Sequence, residues 1–189
     1  MIKGISIADF NIRAISIVGD ANTIEGNFIG LTPSGTPISN TADGVVITSG
    51  GNNLIGGVSP AARNVISGNG GNGIEINGTD SGNLVQGNFI GTRPDGSTLA
   101  PNQGSGVFIH NTSDSTVGGP ESGARNIISG NEQSGVRIEG ASTTGNKVQG
   151  NYIGTNSAGT AALGNSLGAC GSTTRTTTSS AGRRPEPAT

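Results

Sequence analysis

The chain repeats itself at a fixed offset. Arg63–Asn69 (RNVISGN) returns as Arg125–Asn131 (RNIISGN) 62 residues later. Gly44–Ile47 (GVVI) and Gly73–Ile76 (GIEI) return as Gly106–Ile109 (GVFI) and Gly135–Ile138 (GVRI) at the same distance. A third motif stands at Asn22–Gly30 (NTIEGNFIG), Asn83–Gly91 (NLVQGNFIG) and Asn146–Gly154 (NKVQGNYIG). Self-similarity of this kind marks architectures built from stacked units, none of which can bury its apolar side alone. Divided by motif, the period breaks into three unequal coils: 22–43, 44–63 and 64–82, then 83–105, 106–125 and 126–145, with 146–168 opening the next. Residues 1–21 look like the end of an earlier coil, since Ile15 and Ile17 align with Ile74 and Ile76. The expectation is about seven coils of 19–23 residues in a three-coil super-repeat of about 62 residues.

The apolar residues alternate, which is a strand period, and no segment carries a helical one. In the NxIxGN motif the third position is always aliphatic (Ile24, Ile66, Val85, Ile128, Val148) and is expected to point inward. The second position is Thr23, Val65, Leu84, Ile127 or Lys147, a mixture suited to an outward face. The same alternation places Val45, Ile47, Val107 and Ile109 inside and leaves Val46 and Phe108 outside. The 35 Gly and 20 Asn of the 189 residues then belong to corners. Gly and Asn tolerate the left-handed backbone that a tight corner needs. Asn27, Asn69, Asn88, Asn131 and Asn151 close the motif, and Asn amides stacked at strand spacing can hydrogen-bond from coil to coil. The expected fold is all-β, a right-handed parallel β-helix solenoid over residues 1–168, the hand following from the usual hand of parallel crossovers.

NVISGN, GNFIGT and the Gly-Gly pairs that follow an aliphatic residue resemble the right-handed parallel β-helix repeat proteins of bacteria. Their fold is shared with the pectate-lyase-like superfamily. The resemblance covers residues 4–168 and implies architecture more than activity, because one such fold carries lyases, hydrolases, epimerases, adhesins and inert stalks. It implies a structural or adhesive segment of a larger secreted or cell-surface protein that contacts polysaccharide or cell-surface glycan. The alternative it leaves open is a carbohydrate-active enzyme: a polysaccharide lyase, hydrolase or epimerase.

After Gly168 the pattern stops, and residues 169–189 hold no aliphatic residue but Ala. Read one base earlier, the codons for this stretch permit a continuation of the repeat that lies without a gap over Gly106–Asn126. Residues 169–189 are therefore expected to be an out-of-frame, disordered tail, and the chain a fragment of a longer solenoid whose open end promotes self-association. Without the tail the chain has 7 basic and 11 acidic residues and no cysteine. That balance gives no reason to expect nucleic acid as a partner. The absence of any run of about 18 apolar residues argues against membrane insertion by a helix.

No catalytic constellation is visible. Hydrolysis of a glycosidic bond needs two carboxyls roughly 5 to 10 Å apart, and the acidic residues here are scattered singly, though adjacent coils could bring them together. Glu75 and Arg137 share a repeat position and, at three coils' separation, are expected about 14 Å apart. His110 reads as a solvated turn residue beside Asp114, and Arg63 and Arg125 as turn donors at coil ends. Gly164–Gly168 (GNSLG) fits a nucleophile elbow by letter but lacks the helix that must follow. No metal or cofactor site is expected. What remains is the long, polar loops Leu31–Asp43, Thr92–Ser105 and Thr155–Gly168, because loops on a rigid scaffold are where function sits. Within them Arg93 and Asp95, in the turn TRPDG, are the candidate binding residues for carbohydrate.

Overall fold

The computed structural model describes residues 1–173. They form an all-β parallel solenoid of three six-stranded sheets. Sheet A holds β1 (Ile2–Lys3), β4 (Thr23–Glu25), β7 (Leu54–Gly56), β10 (Leu84–Gln86), β13 (Thr116–Gly118) and β16 (Lys147–Gln149). Sheet B holds β2 (Ser6–Ile7), β5 (Phe28–Ile29), β8 (Val65–Ile66), β11 (Phe89–Ile90), β14 (Ile127–Ile128) and β17 (Tyr152–Ile153). Sheet C holds β3 (Ile15–Val18), β6 (Val45–Ser49), β9 (Ile74–Asn77), β12 (Val107–His110), β15 (Ser134–Glu139) and β18 (Gly168–Thr173). Each rung of the solenoid is therefore a triangle that takes one strand from each sheet.

This corrects the expected coil. The chain makes about five turns rather than seven, and the 62-residue period spans two rungs rather than three coils. In sheet A the stacked residues Ile24, Ile55, Val85, Val117 and Val148 succeed one another at 31, 30, 32 and 31 residues. In sheet B, Ile29, Ile66, Ile90, Ile128 and Ile153 alternate between long steps of 37 and 38 and short steps of 24 and 25. NTIEGN and NVISGN share one motif but form successive sides of the triangle, in sheets A and B. Two or three residues of strand make a side in sheets A and B and four to six in sheet C, and three sides are needed before the chain returns over itself.

The interior has two materials. Its centre is a column of aliphatic side chains: Ile24, Ile55 and Val85 from sheet A, Ile29, Ile66 and Ile90 from sheet B, and Val45, Ile74 and Val107 from sheet C, all essentially fully buried. Its corners are asparagine. At the A-to-B corner the Nδ2 group of Asn27 donates to Asn64 Oδ1 (3.0 Å), Asn64 to Asn88 (2.9 Å), Asn88 to Asn126 (3.1 Å) and Asn126 to Asn151 (2.9 Å). Each acceptor oxygen also takes the backbone N–H of the preceding Asn, and each amide donates its second hydrogen to a carbonyl one rung back, as Asn88 does to Ile55. A second ladder, Asn40, Asn69, Asn102, Asn131 and Asn165, runs up the corner after sheet B with steps of 2.8–2.9 Å. The five asparagines expected in one ladder are thus divided between two. A third corner, after sheet C, stacks Asn22, Asn53 and Asn83, is interrupted by buried Ser115, and resumes at Asn146, whose Oδ1 accepts the Ser115 N–H. The glycines before the A-to-B asparagines, Gly26, Gly87 and Gly150, have φ of 69°, 70° and 69°, and a Cβ on Gly87 would run into the Gly57 carbonyl.

Leu84 and Lys147 are exposed as expected of outward positions, but three others are not. Val46, Val65 and Ile127 point away from the central column yet are buried, at 3–5% exposure. For Val65 and Ile127 the reason is a second apolar cluster outside sheet B, where they meet Leu31, Phe89 and Ala100, with Phe28 and Tyr152 at its margin. Strand pairing also runs past residue 168, since β18 lies in register with β15 and sets Cys170 opposite Val136. The remainder of the expected tail, 174–189, lies outside the described residues.

The ladders predict a pair of opposite effects. Asn88→Ala removes a fully bonded amide and strands its partners on Asn64, Asn126 and Ile55, so it should cost about 3 kcal/mol or more. Ser115→Asn restores the missing step of the third ladder and should add about 1 kcal/mol. Chemical denaturation of the two variants beside the parent chain checks both signs.

Candidate functional site

Sheet B carries the most structured part of the surface. Its outward stripe is Phe28, Val65, Phe89, Ile127 and Tyr152, in direct register from rung to rung. One side of the stripe is bounded by short 3₁₀ turns, Pro60–Ala62 and Ser122–Ala124, which enter β8 and β14. The other is bounded by the long loops that leave β5, β11 and β17. Each of these closes as a small hairpin, through antiparallel bridges Leu31–Pro37, Thr92–Leu99 and Thr155–Ala162. The hairpins pack on one another: Ser157 N–H donates to Gly96 O (2.8 Å), and Gly35 sits against Pro94 and Arg93. Between turn wall and loop wall runs an open groove of about 390 Å³ lined by Arg63, Phe89, Pro94, Asp95, Ser122, Arg125, Ile127 and Ser157.

Two arginines cover this stripe by the same device. The guanidinium of Arg63 lies 4.1 Å from the centre of the Phe89 ring, and that of Arg125 lies 4.1 Å from the Tyr152 ring. The Nε of Arg63 donates to Gly87 O (3.1 Å) and the Nε of Arg125 to Gly150 O (3.0 Å). The expectation of turn donors at coil ends is met by these two bonds, and the rings beneath add a cation–π contact that sequence alone did not show. Burial pulls the Arg63 pKa down from the ordinary arginine range.

The sequence candidates Arg93 and Asp95 sit on the loop wall but do not form an ion pair. The two ion pairs among the described residues are Lys3–Glu25 and Arg137–Glu139, each 2.7 Å. Asp95 instead organises its own turn, accepting the N–H groups of Ser97 and Thr98 (2.8 Å each) and the Thr98 hydroxyl (2.6 Å). These bonds, the Thr98 hydroxyl first, hold its carboxyl below the usual range, with a small contribution from Arg93. Arg93 lies against Gly35 of the preceding hairpin, and its Nε, like the hydroxyl of Thr92 beside it, is buried without a partner among the described residues. Asp95 therefore reaches the groove and Arg93 does not line it.

The outer face of sheet C holds a second cluster. Glu75, Phe108 and Arg137 stand in register on consecutive rungs, so Glu75 and Arg137 are two rungs apart, about 9.6 Å rather than 14 Å. Arg137 lies over the Phe108 ring (4.9 Å to its centre) and pairs with Glu139, while the His110 ring stacks with that same Phe108 ring, 5.4 Å from centre to centre. His110 is thus a packed side chain beside Asn111 rather than a free turn residue. Burial raises the Glu75 pKa, the nearby Asp43 raises it further, and the Asn72 amide, His110 and Arg13 oppose the shift. Asp43 itself accepts the Asn72 N–H. Three-coil arithmetic separated these residues, and the two-rung period brings them to one face.

Glu75 generates a pH prediction. Its pKa is raised in the folded chain, so its contribution to stability is complete below the unfolded carboxyl pKa and is lost as pH rises through the folded one. Glu75→Gln should therefore unfold at higher denaturant than the parent near pH 7, and the difference should close by about pH 4. A denaturation series across that range measures it. Comparison with models of known families, with curated proteins and with solved structures finds no match to the chain.

Proposed function

We propose that the chain is a structural or adhesive β-helix segment of a secreted or cell-surface protein, allied to the pectate-lyase-like repeat proteins of bacteria. On this reading its contact surface for carbohydrate is the loop-bounded face of sheet B. The observation that supports it is the coherence of that face. Hairpins from alternate rungs, far apart in sequence, pack into one wall alongside a stripe of aromatic and aliphatic side chains. A rigid scaffold that holds recognition loops at fixed spacing is the usual way such surfaces are built. Polar and charged groups along an open groove, Asp95, Ser122 and Ser157 with Arg63 and Arg125, suit a sugar polymer, which offers hydroxyls at regular spacing.

A second reading, a carbohydrate-active enzyme, has its own observation. Burial raises the Glu75 pKa, and the Asp43 carboxylate, just before β6, lies near enough to raise it further. Two carboxyls held near each other are what glycoside hydrolysis uses.

A glycan array separates the two. The adhesive reading expects the parent chain to be retained by a set of polysaccharides. A variant with residues 93–98 replaced by a Gly-Ser stretch of equal length should lose roughly tenfold in affinity, with its far-UV circular dichroism unchanged. Equal retention of both chains, or of neither, overturns it. Release of reducing ends from the retained polysaccharide, abolished by Glu75→Gln, would instead favour the enzyme.

A further inference from the structure

The groove on sheet B has a chemical bias that its structural role does not use up. Arg63 and Arg125 are already explained in part: each flattens over an aromatic ring and anchors its Nε on a backbone carbonyl, sealing the outer apolar cluster. That work needs the plane and one nitrogen. Among the described residues, the terminal nitrogens of both guanidiniums bond to no protein group and neither arginine has a carboxylate within ion-pair distance. Both side chains line the same groove. Arginine's fork is made for planar anions, which it can grip with two nitrogens at once.

We infer that this groove is a binding site for a linear glycan carrying carboxylate or sulfate groups, with Arg63 and Arg125 each seating one of them. The inference deepens the adhesive reading above and rests on it. Three further features support it. The arginines are equivalent positions of the 62-residue repeat, two rungs and so about 9.6 Å apart, which presents two fixed cations to a ligand that is itself periodic. The groove draws its lining from four successive rungs, from Arg63 to Ser157, and is open, so it fits a chain better than a compact molecule. Arg63 is half-buried with its pKa pulled down by burial, so its charge lacks compensation that a bound anion would supply. The carboxylate that also lines the groove, Asp95, is engaged by Ser97 and Thr98.

The test is calorimetric titration of the full chain with three hexasaccharides of equal length: a uronate, a sulfated and a neutral one. At least one acidic hexasaccharide should bind roughly tenfold or more tightly than the neutral one, and its affinity should fall as salt is added. Arg63→Gln and Arg125→Gln should each weaken it by roughly tenfold. Ser122→Glu sets a negative charge on an exposed groove residue without disturbing either arginine–ring pair, so it should weaken binding with the melting temperature unchanged. The two acidic ligands decide between carboxylate and sulfate as the anion. Equal binding of the neutral hexasaccharide, or indifference of the acidic one to Ser122→Glu and to whichever arginine variants fold, overturns the inference but leaves the adhesive reading standing. Failure of all three to bind overturns both, and tighter binding of a single-stranded oligonucleotide than of any glycan overturns the choice of ligand.

Discussion

The asparagine amide sets the terms for the rest of this molecule. A parallel solenoid repeats at the spacing of hydrogen-bonded strands, about 4.8 Å. At a corner, where the backbone turns, strand pairing cannot satisfy every N–H and C=O, and an unpaired buried group costs roughly 1 to 3 kcal/mol. One Asn per corner solves this by donating twice and accepting twice, up to the next rung and back to the one before. The arrangement works when the next rung offers another Asn at the same place. The ladders therefore hold the rung cross-section nearly constant at the A-to-B corner, while insertions go where they leave the ladder intact.

The position of the long loops follows from that rule. In sheet B the steps alternate between 24–25 and 37–38 residues, yet Asn40, Asn102 and Asn165, which end the long loops, bond to Asn69 and Asn131, which close short corners. A hairpin of ten residues or so is pushed out of the triangle, and the chain re-enters at the ladder. The hairpins land outside sheet B and bury its outward stripe, which is why Val65 and Ile127 are covered although they face away from the central column.

Much of this was legible in the sequence, and the misreading has a physical origin. The strand period, the inward Ile and Val and the Asn corners follow from local chemistry, and the structure has them where alternation puts them. The number of sides per rung does not follow from local chemistry. NTIEGN and NVISGN present the same pattern because each is a short strand between two ladder asparagines, whichever sheet it occupies. Only closure of the triangle tells them apart, and closure depends on which Asn stacks on which. The same error hid the site: with three coils to a period, Glu75 and Arg137 stood too far apart to share a surface, and Arg63 and Arg125 had no rings beneath them. Arg93 and Asp95 are charges in one Pro-Gly turn, but no spacing rule encodes that Asp95 lines the groove while accepting from Ser97 and Thr98, or that Arg93 does not line it.

Two periods therefore coexist, with different physical causes. The one-rung period belongs to the interior, where hydrogen bonds and packing must recur at every step and tolerate little variation. The two-rung period belongs to the surface, where 3₁₀ turns and hairpins alternate, and where Arg63 with Phe89 and Arg125 with Tyr152 recur. Nothing in the ladder requires the alternation, since either kind of corner keeps the Asn in place. An exterior repeat that the interior does not demand needs a separate source of regularity. The recurrence of Arg63–Asn69 as Arg125–Asn131 supplies that regularity in the sequence, and it fixes each arginine over the ring of the next rung.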